Sequence, residues 1–157
     1  MRNLINYFSD LFDNNNDTEY YYSLAQKEDY ENRKIRLLEK VLRKEPNHKG
    51  SLEHLGDLYS IKKQHQKAID CYNKLIELNP KNANAFYNLG VIKLGYTQDT
   101  LTHGFENNVA SEVIPLFQEA INIKPNYVDA INNLSILYAS NGKLNEAISL
   151  NEKVIKI

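Results

Sequence analysis

SLEHLGDLYSIKKQHQKAIDCYNKLIELNP, residues 51–80, is the stretch of the chain that decides the fold. Its first half places three apolar residues at helical spacing on one face: Leu52, Leu55 and Tyr59. Its second half, after a polar turn, carries two apolar stripes, one of Ala68, Cys71, Leu75 and Leu78 and one of Ile69, Tyr72 and Ile76. A helix with two apolar stripes must be covered on two sides, so the stretch predicts a helix pair that packs against further helices.

The same pattern returns along the chain at a regular period. Pro46 and Pro80 lie 34 residues apart, and 34 residues also separate Leu55 from Leu89. The next closing proline, Pro125, follows Pro80 by 45 residues, so eleven extra residues lie between the two helices of that unit. A period of this size indicates helix pairs that stack into a solenoid.

The period predicts one all-α domain over residues 1–157, made of four units at 17–48, 49–82, 83–127 and 128–157. The third unit contains the insertion, near 95–111. Its first helix is predicted to end at 95, and Ser111 is a suitable N-cap for the second. Pro115 is compatible only with a position near that helix start.

Residues 1–13 precede the first unit and carry apolar side chains at helical spacing: Leu4, Ile5, Phe8, Leu11 and Phe12. They predict a short amphipathic helix that caps the first unit, and a helix lying in the protein's own groove is the alternative. A membrane-surface helix would carry Lys or Arg on its polar face. The first twenty residues hold a single Arg against four acidic residues, so we do not expect a membrane anchor.

The second unit resembles the tetratricopeptide repeat, a helix–turn–helix motif of about 34 residues with characteristic Leu-Gly, Tyr, Ala, aromatic and Pro positions. The matching residues of this unit are Leu55, Gly56, Tyr59, Ala68, Tyr72 and Pro80. The third unit keeps Leu89, Gly90, Phe117, Ala120 and Pro125, with Lys93 and Val113 as departures. The fourth keeps Leu134, Tyr138 and Ala147, with Ser135 in place of the glycine.

This resemblance implies a right-handed superhelix of antiparallel helix pairs, with about four repeats plus the N-terminal helix. First helices would line a concave groove, and second helices would form the convex back. The resemblance therefore implies a non-catalytic scaffold or adaptor that binds a peptide or helix of a partner protein. A secretion-type or assembly chaperone of the same repeat class is the alternative.

The candidate partner-binding residues are first-helix positions of the expected groove: Tyr20, Glu53, His54, Asp57, Asn84, Tyr87, Asn88, Asn132 and Asn133. Asn amides can bond a peptide backbone, and Tyr adds apolar area with a hydroxyl. Glu53, Asp57 and Asp129 make the groove acidic, so it should repel an acidic C-terminal tail. We expect a partner peptide that is neutral or basic.

Charge and composition exclude other classes of function. The chain has 19 Lys and Arg against 20 Asp and Glu, whereas a nucleic-acid partner would require a basic stripe. The chain has no apolar run of about 18 residues, so no membrane span is expected. No signal peptide is evident, and the single cysteine, Cys71, suits a reducing compartment. We expect a cytoplasmic protein with Cys71 buried.

No pattern of catalytic residues, phosphate-binding loop or HExxH motif is present, so we expect no enzyme activity, no cofactor and no metal. One weaker alternative remains. Asp99, His103 and Glu106 would share one face if the insertion were helical, and they would then form a metal-ligand triple. Because polar loops often contain such a triple, an enzyme or metal protein is the least favoured hypothesis.

The predicted last helix, 144–157, again has two apolar stripes, one of Ala147, Leu150, Val154 and Ile157 and one of Leu144, Ile148 and Ile155. In an internal unit the second stripe would face the next unit. Because repeat arrays normally end in a helix with a polar outer face, an apolar stripe at this end needs a cover. We expect self-association through Leu144, Ile148 and Ile155, with a partner-covered edge as the alternative.

Overall fold

The computed structural model describes residues 17–100 and 108–155, and within them it contains eight helices and no strand. The helices are α1 (Asp17–Lys27), α2 (Glu31–Lys44), α3 (Lys49–Ile61), α4 (His65–Leu78), α5 (Ala83–Thr100), α6 (Asn108–Ile123), α7 (Val128–Ser140) and α8 (Leu144–Ile155). The predicted all-α class is confirmed.

The helices pack in the order in which they follow one another along the chain. The pairs are α1 with α2, α3 with α4, α5 with α6 and α7 with α8, and each pair also packs on the next through its second helix. Short connections close the pairs, and Lys63 and Gly142, at equivalent turn positions, both adopt positive φ, 55° and 75°. This arrangement is the stacked array that the 34-residue period predicts.

Two glycines explain the tight packing inside the middle pairs. A Cβ atom added to Gly56 of α3 would lie 2.6 Å from Cε2 of Tyr72, and one added to Gly90 of α5 would lie 2.7 Å from Cε1 of Phe117. An aromatic ring of the second helix therefore packs closely against the backbone of the first. No residue larger than glycine fits without displacing that ring, which is why the motif pairs glycine with an aromatic residue.

Polar contacts at equivalent positions join successive pairs. The Tyr59 hydroxyl of α3 donates to Oε1 of Glu39 on α2 at 2.6 Å. Seventy-nine residues later, the Tyr138 hydroxyl of α7 accepts from Nε2 of Gln118 on α6 at 2.7 Å. Burial, together with the Glu39 hydrogen bond, raises the pKa of Tyr59. The repeated tyrosine therefore makes the same polar link from a first helix to the preceding pair in both places.

The third pair departs from the sequence prediction at the insertion. Helix α5 was predicted to end at 95 but continues to Thr100, and α6 begins at Asn108, so Ser111 lies inside the helix and is not its N-cap. A lone glycine such as Gly95 costs a helix only about 1 kcal/mol, which is too little to end it. The inserted residues lengthen both helices, and Pro115 therefore lies in the helix interior.

Some sequence predictions concern residues outside the described ranges. The N-terminal helix of residues 1–13 is one of them, and His103 and Glu106 of the possible metal triple are others. Among the described residues, no group of three His, Cys, Asp or Glu side chains is arranged to hold a metal ion. None of the described helices is both long and apolar enough to cross a membrane.

Candidate functional site

The polar faces of the first helices of the pairs, α1, α3, α5 and α7, carry all nine predicted binding residues; we call this surface the first-helix face. His54, Asn88 and Asn133 occupy one repeat position in α3, α5 and α7. The preceding position holds Glu53, Tyr87 and Asn132. The repeat therefore places these side chains in rows across the array.

Tyr72 joins the predicted residues of α3 and α5. Its hydroxyl donates to Oδ1 of Asp57 at 2.5 Å and accepts from Nδ2 of Asn88 at 3.0 Å. Burial raises the pKa of Tyr72, and the hydrogen bond to Asp57 and the nearby charge of Glu53 raise it further. Asp57 and Asn88 are therefore partly engaged inside the protein, and the Tyr72 hydroxyl orients both of them.

Tyr87 plays the corresponding part between α5 and α7. Its ring packs against Tyr127 at 4.9 Å between centroids and against Phe117 at 5.8 Å. Burial raises the pKa of Tyr87, the charge of Asp129 adds to this, and a hydrogen bond from Asn133 opposes it. Phe117 occupies the repeat position of Tyr72 but has no hydroxyl that could bond to α7. Tyr87 makes the polar link to α7 instead, through Asn133.

Tyr127 was missed by the sequence analysis. It lies just before α7, where the preceding units have His48 and Asn82, which cap their helices through side-chain atoms. A tyrosine at a capping position is the signal that could have drawn attention to it. Burial raises the pKa of Tyr127, with smaller contributions from Tyr87 and Asp129. Tyr127 extends the aromatic part of the surface beside Tyr87.

The remaining predicted residues differ in how far they are available to a partner. The His54 ring is half-buried and stacks on Tyr22 of α1, with the rings 16° from parallel, so it contributes to packing. Tyr20, Asn84 and Asn132 are exposed. The structure therefore brings together the residues around Tyr72 and around Tyr87, while Tyr20 lies at the α1 end of the face.

The character of the face changes along the array. The position that holds Asp57 in α3 holds Val91 in α5 and Ile136 in α7, and Ile136 is 66% exposed. Glu53, Asp57 and Asp129 are exposed carboxylates. The α3 end is therefore acidic, and the α7 end presents apolar side chains beside a single carboxylate.

Comparison with known families agrees with this geometry. The family described as TPR repeat matches residues 56–95, and a family described as tetratricopeptide repeat matches residues 116–149. This chain contains tetratricopeptide repeats. Residues 96–115, between the two matched repeats, contain the end of α5 and the start of α6, where the insertion lies.

One curated relative is the photosystem I assembly protein Ycf3 of Acaryochloris marina, with 33% identity over 86 residues. The match covers 52% of this chain and 51% of Ycf3, so it spans about half the length of that relative.

Solved structures with the same repeat architecture include a crystal structure of MamA and residues 41 to the end of MamA from Desulfovibrio magneticus RS-1. The first has a TM-score of 0.75 and 23% identity, and the alignment covers 96% of this chain and 83% of that MamA chain. The second has a TM-score of 0.73 and 21% identity, and covers 90% and 76%. At these identities the likeness concerns the fold alone, and the predicted repeat solenoid is confirmed.

Proposed function

We propose that this protein is a non-catalytic interaction scaffold that holds an extended peptide or a helix of a partner protein on its first-helix face. The supporting observation is the way Tyr72 and Tyr87 link the polar side chains of α3, α5 and α7 into one surface. Because these contacts hold the side chains in place before a partner arrives, less conformational entropy is lost on binding.

Charge favours a neutral or basic partner. Glu53, Asp57 and Asp129 are exposed on the face. Lys93 of α5, a cation on the same helix as Tyr87, forms an ion pair with Glu112 at 2.8 Å. A peptide that carries Lys or Arg would meet complementary charge at the α3 end, and its apolar side chains would meet Val91 and Ile136.

Photo-crosslinking tests where the partner lies. A photoreactive amino acid is placed at Asn84 on α5 or Asn132 on α7, which are both exposed, and in the matched controls at Asn73 on α4 or Asn122 on α6, also exposed. We expect crosslinks to a partner in the native lysate only from the α5 and α7 positions. Crosslinks from only the α4 and α6 positions would contradict the proposal.

Tyr87 and Asn88 are less suitable as probes, because Tyr87 also packs on Phe117 and Asn88 also donates a hydrogen bond to Tyr72. Replacing both with Ala would change stability as well as binding. The exposed positions Asn84 and Asn132 separate the two effects.

The charge preference is tested by selecting peptides from a random library on the purified protein. We expect basic peptides to be enriched. Glu53→Gln combined with Asp129→Asn should weaken their binding about 2- to 30-fold, since each exposed charge pair contributes about 0.2–1 kcal/mol. The control combines Glu77→Gln with Glu152→Gln, on the exposed sides of α4 and α8. Equal loss in both double variants would disprove a specific acidic face.

An assembly chaperone is the second candidate, and the similarity to a protein described as an assembly protein favours it. A chaperone would release its partner once that partner joins its complex, whereas an adaptor would remain bound. Pulse-chase labelling followed by co-precipitation distinguishes them. A chaperone would co-precipitate only newly synthesised partner, whereas an adaptor would also co-precipitate partner made earlier.

A further inference from the structure

The last helix pair ends in an open groove of about 520 Å³ between α7 and α8. We call it the α7–α8 groove, and its apolar lining consists of Ile136, Ala139, Leu144, Ala147 and Ile148. Leu144 and Ile148 are 60% and 55% exposed. Ala147 is buried, and Leu150 and Val154 pack against the core, so only one side of α8 is covered.

The same surface is covered in an internal pair. Ile69 of α4 stands at the repeat position of Ile148, but it is only 9% exposed. It belongs to one core cluster with Ala85, Leu89 and Ile92 of α5, the first helix of the next pair. The α7–α8 groove is therefore the surface on which, inside the array, the first helix of a following repeat packs.

The chain contains a segment with the matching pattern outside the described residues. Residues 4–12 read LINYFSDLF. Residues 130–138, in α7, which is the first helix of the fourth pair, read AINNLSILY. Four of the nine aligned positions are identical, and Phe8 and Phe12 align with the large apolar residues Leu134 and Tyr138. Ser9 aligns with Ser135, the position that is glycine in the middle units. Residues 4–12 thus have the side chains that a first helix uses to pack on the preceding repeat.

Geometry indicates which copy supplies the segment. Only residues 13–16 connect it to α1, and four extended residues span at most about 14 Å. The first and fourth helix pairs are three steps apart in the array, and packed helices lie about 8–10 Å from each other. The distance to the α7–α8 groove of the same molecule is therefore at least about 24 Å.

We propose that residues 4–12 of one copy of this protein dock in the α7–α8 groove of a second copy and continue its array of helices. The contact joins two different surfaces, head to tail. A head-to-tail contact leaves a free segment and a free groove at the two ends, so it extends into chains or closes into rings. The groove borders the first-helix face and shares Ile136 with it, whereas Leu144 and Ile148 of α8 lie outside that face.

Two blocking variants test the proposal. Ile148→Glu places a charge in the groove, and Phe8→Glu places one in the segment. Sedimentation velocity over a concentration series should show growing species for the wild-type protein and a monomer for each variant alone. Because Ile148 is exposed, its substitution should leave the fold intact, and far-UV circular dichroism checks this for both variants.

The decisive measurement is the mixture of the two variants. The Ile148→Glu chain keeps an intact segment, and the Phe8→Glu chain keeps an intact groove. Together they should form one dimer of twice the 18.2 kDa chain mass and nothing larger. Ile61→Glu is the matched control, since Ile61 is an exposed isoleucine on α3, away from the groove, and this variant should associate like the wild type.

Three outcomes would overturn the proposal: a wild-type protein that stays monomeric at high concentration, a Phe8→Glu variant that associates as the wild type does, or a mixture that stays monomeric. Peptide binding by the monomeric Ile148→Glu variant is measured in parallel. Loss of association with peptide binding retained separates this proposal from the function of the first-helix face.

Discussion

The α3–α4 pair and the α7–α8 pair are built on the same repeat positions, 79 residues apart, yet they bury their outer sides very differently. Tyr72 and Ile69 of α4 are buried beneath α5, whereas their counterparts Asn151 and Ile148 of α8 are exposed. Isoleucine occupies the same helix position in both pairs. Its burial is therefore decided by whether another helix packs on the pair, and not by the residue type.

The interior of the two pairs also differs. Gly56 lies under the Tyr72 ring, while Ser135, the counterpart of Gly56, donates a hydrogen bond from its hydroxyl to the carbonyl of Ala147 at 3.1 Å. Asn151 contributes no ring, so the Ser135 hydrogen bond joins the helices of the α7–α8 pair where aromatic packing joins those of the α3–α4 pair. The last pair should therefore be the less stable of the two, and substitutions at equivalent positions can test this.

Tyr72→Ala should give the largest effect. The variant removes a buried ring and its hydrogen bonds to Asp57 and Asn88, so the free energy of unfolding should fall by about 3–5 kcal/mol. Asn151→Ala at the equivalent exposed position should change it by less than about 0.5 kcal/mol. Urea denaturation followed by circular dichroism measures both. Similar losses in the two variants would mean that the pairs do not differ in the way described.

Gly56→Ala should give the next largest effect. Its new Cβ would meet the Tyr72 ring, and such overpacking costs about 1–3 kcal/mol in spite of the better helix propensity of alanine. Ser135→Ala is the control in the last pair, where only a hydrogen bond of about 1 kcal/mol is lost. Thermal unfolding of both variants gives the comparison. A Gly56→Ala protein more stable than the wild type would show that the ring moves aside freely.

The raised pKa of Tyr72 predicts that the free energy of unfolding depends on pH. Its pKa is raised in the folded protein above the ordinary value of 10.0, so the folded state holds the phenolic proton more tightly than the unfolded state does. The stability that results is present below about pH 10 and is lost as the pH rises above that value, by at most about 1.4 kcal/mol per pH unit.

In Tyr72→Phe the free energy of unfolding should therefore fall less steeply between pH 10 and 11 than in the wild type. Tyr30→Phe, a substitution of an exposed tyrosine, serves as the control. Denaturant titrations at the two pH values measure the slopes. Parallel slopes for Tyr72→Phe and wild type would show that the Tyr72 proton is not linked to folding.

The turn inside each pair should give the smallest effect. Lys63 in the second pair and Gly142 in the fourth both have positive φ, which only glycine adopts without strain. Lys63→Gly should raise the free energy of unfolding by up to about 1 kcal/mol, and Gly142→Ala should lower it by about 1 kcal/mol. Opposite shifts in the melting temperature are expected. A Lys63→Gly variant that melts lower than the wild type would contradict the strain at this turn.

The sequence predicted the local structure well where a repeat-wide pattern was present. Helix positions followed from the spacing of apolar residues, and the resemblance to the repeat motif identified Gly56 as one of its characteristic positions. The predicted end of α5 was wrong because residues 96–100 contain no helix-ending signal. The prediction that Ser111 is an N-cap was wrong because a serine can cap a helix or lie within one. The site was predicted only as a set of helix positions.

The sequence by itself determined the all-α class, the helix pairs and the two apolar stripes of α8, because helical periodicity is local and the repeat supplies several copies of it. Only the tertiary structure decided that the Tyr72 hydroxyl joins Asp57 to Asn88, and that Tyr87 packs on Tyr127. These contacts depend on the angle and separation between helices that are distant in sequence. That geometry arises from helix packing both within and between the pairs, and no local pattern of residues contains it.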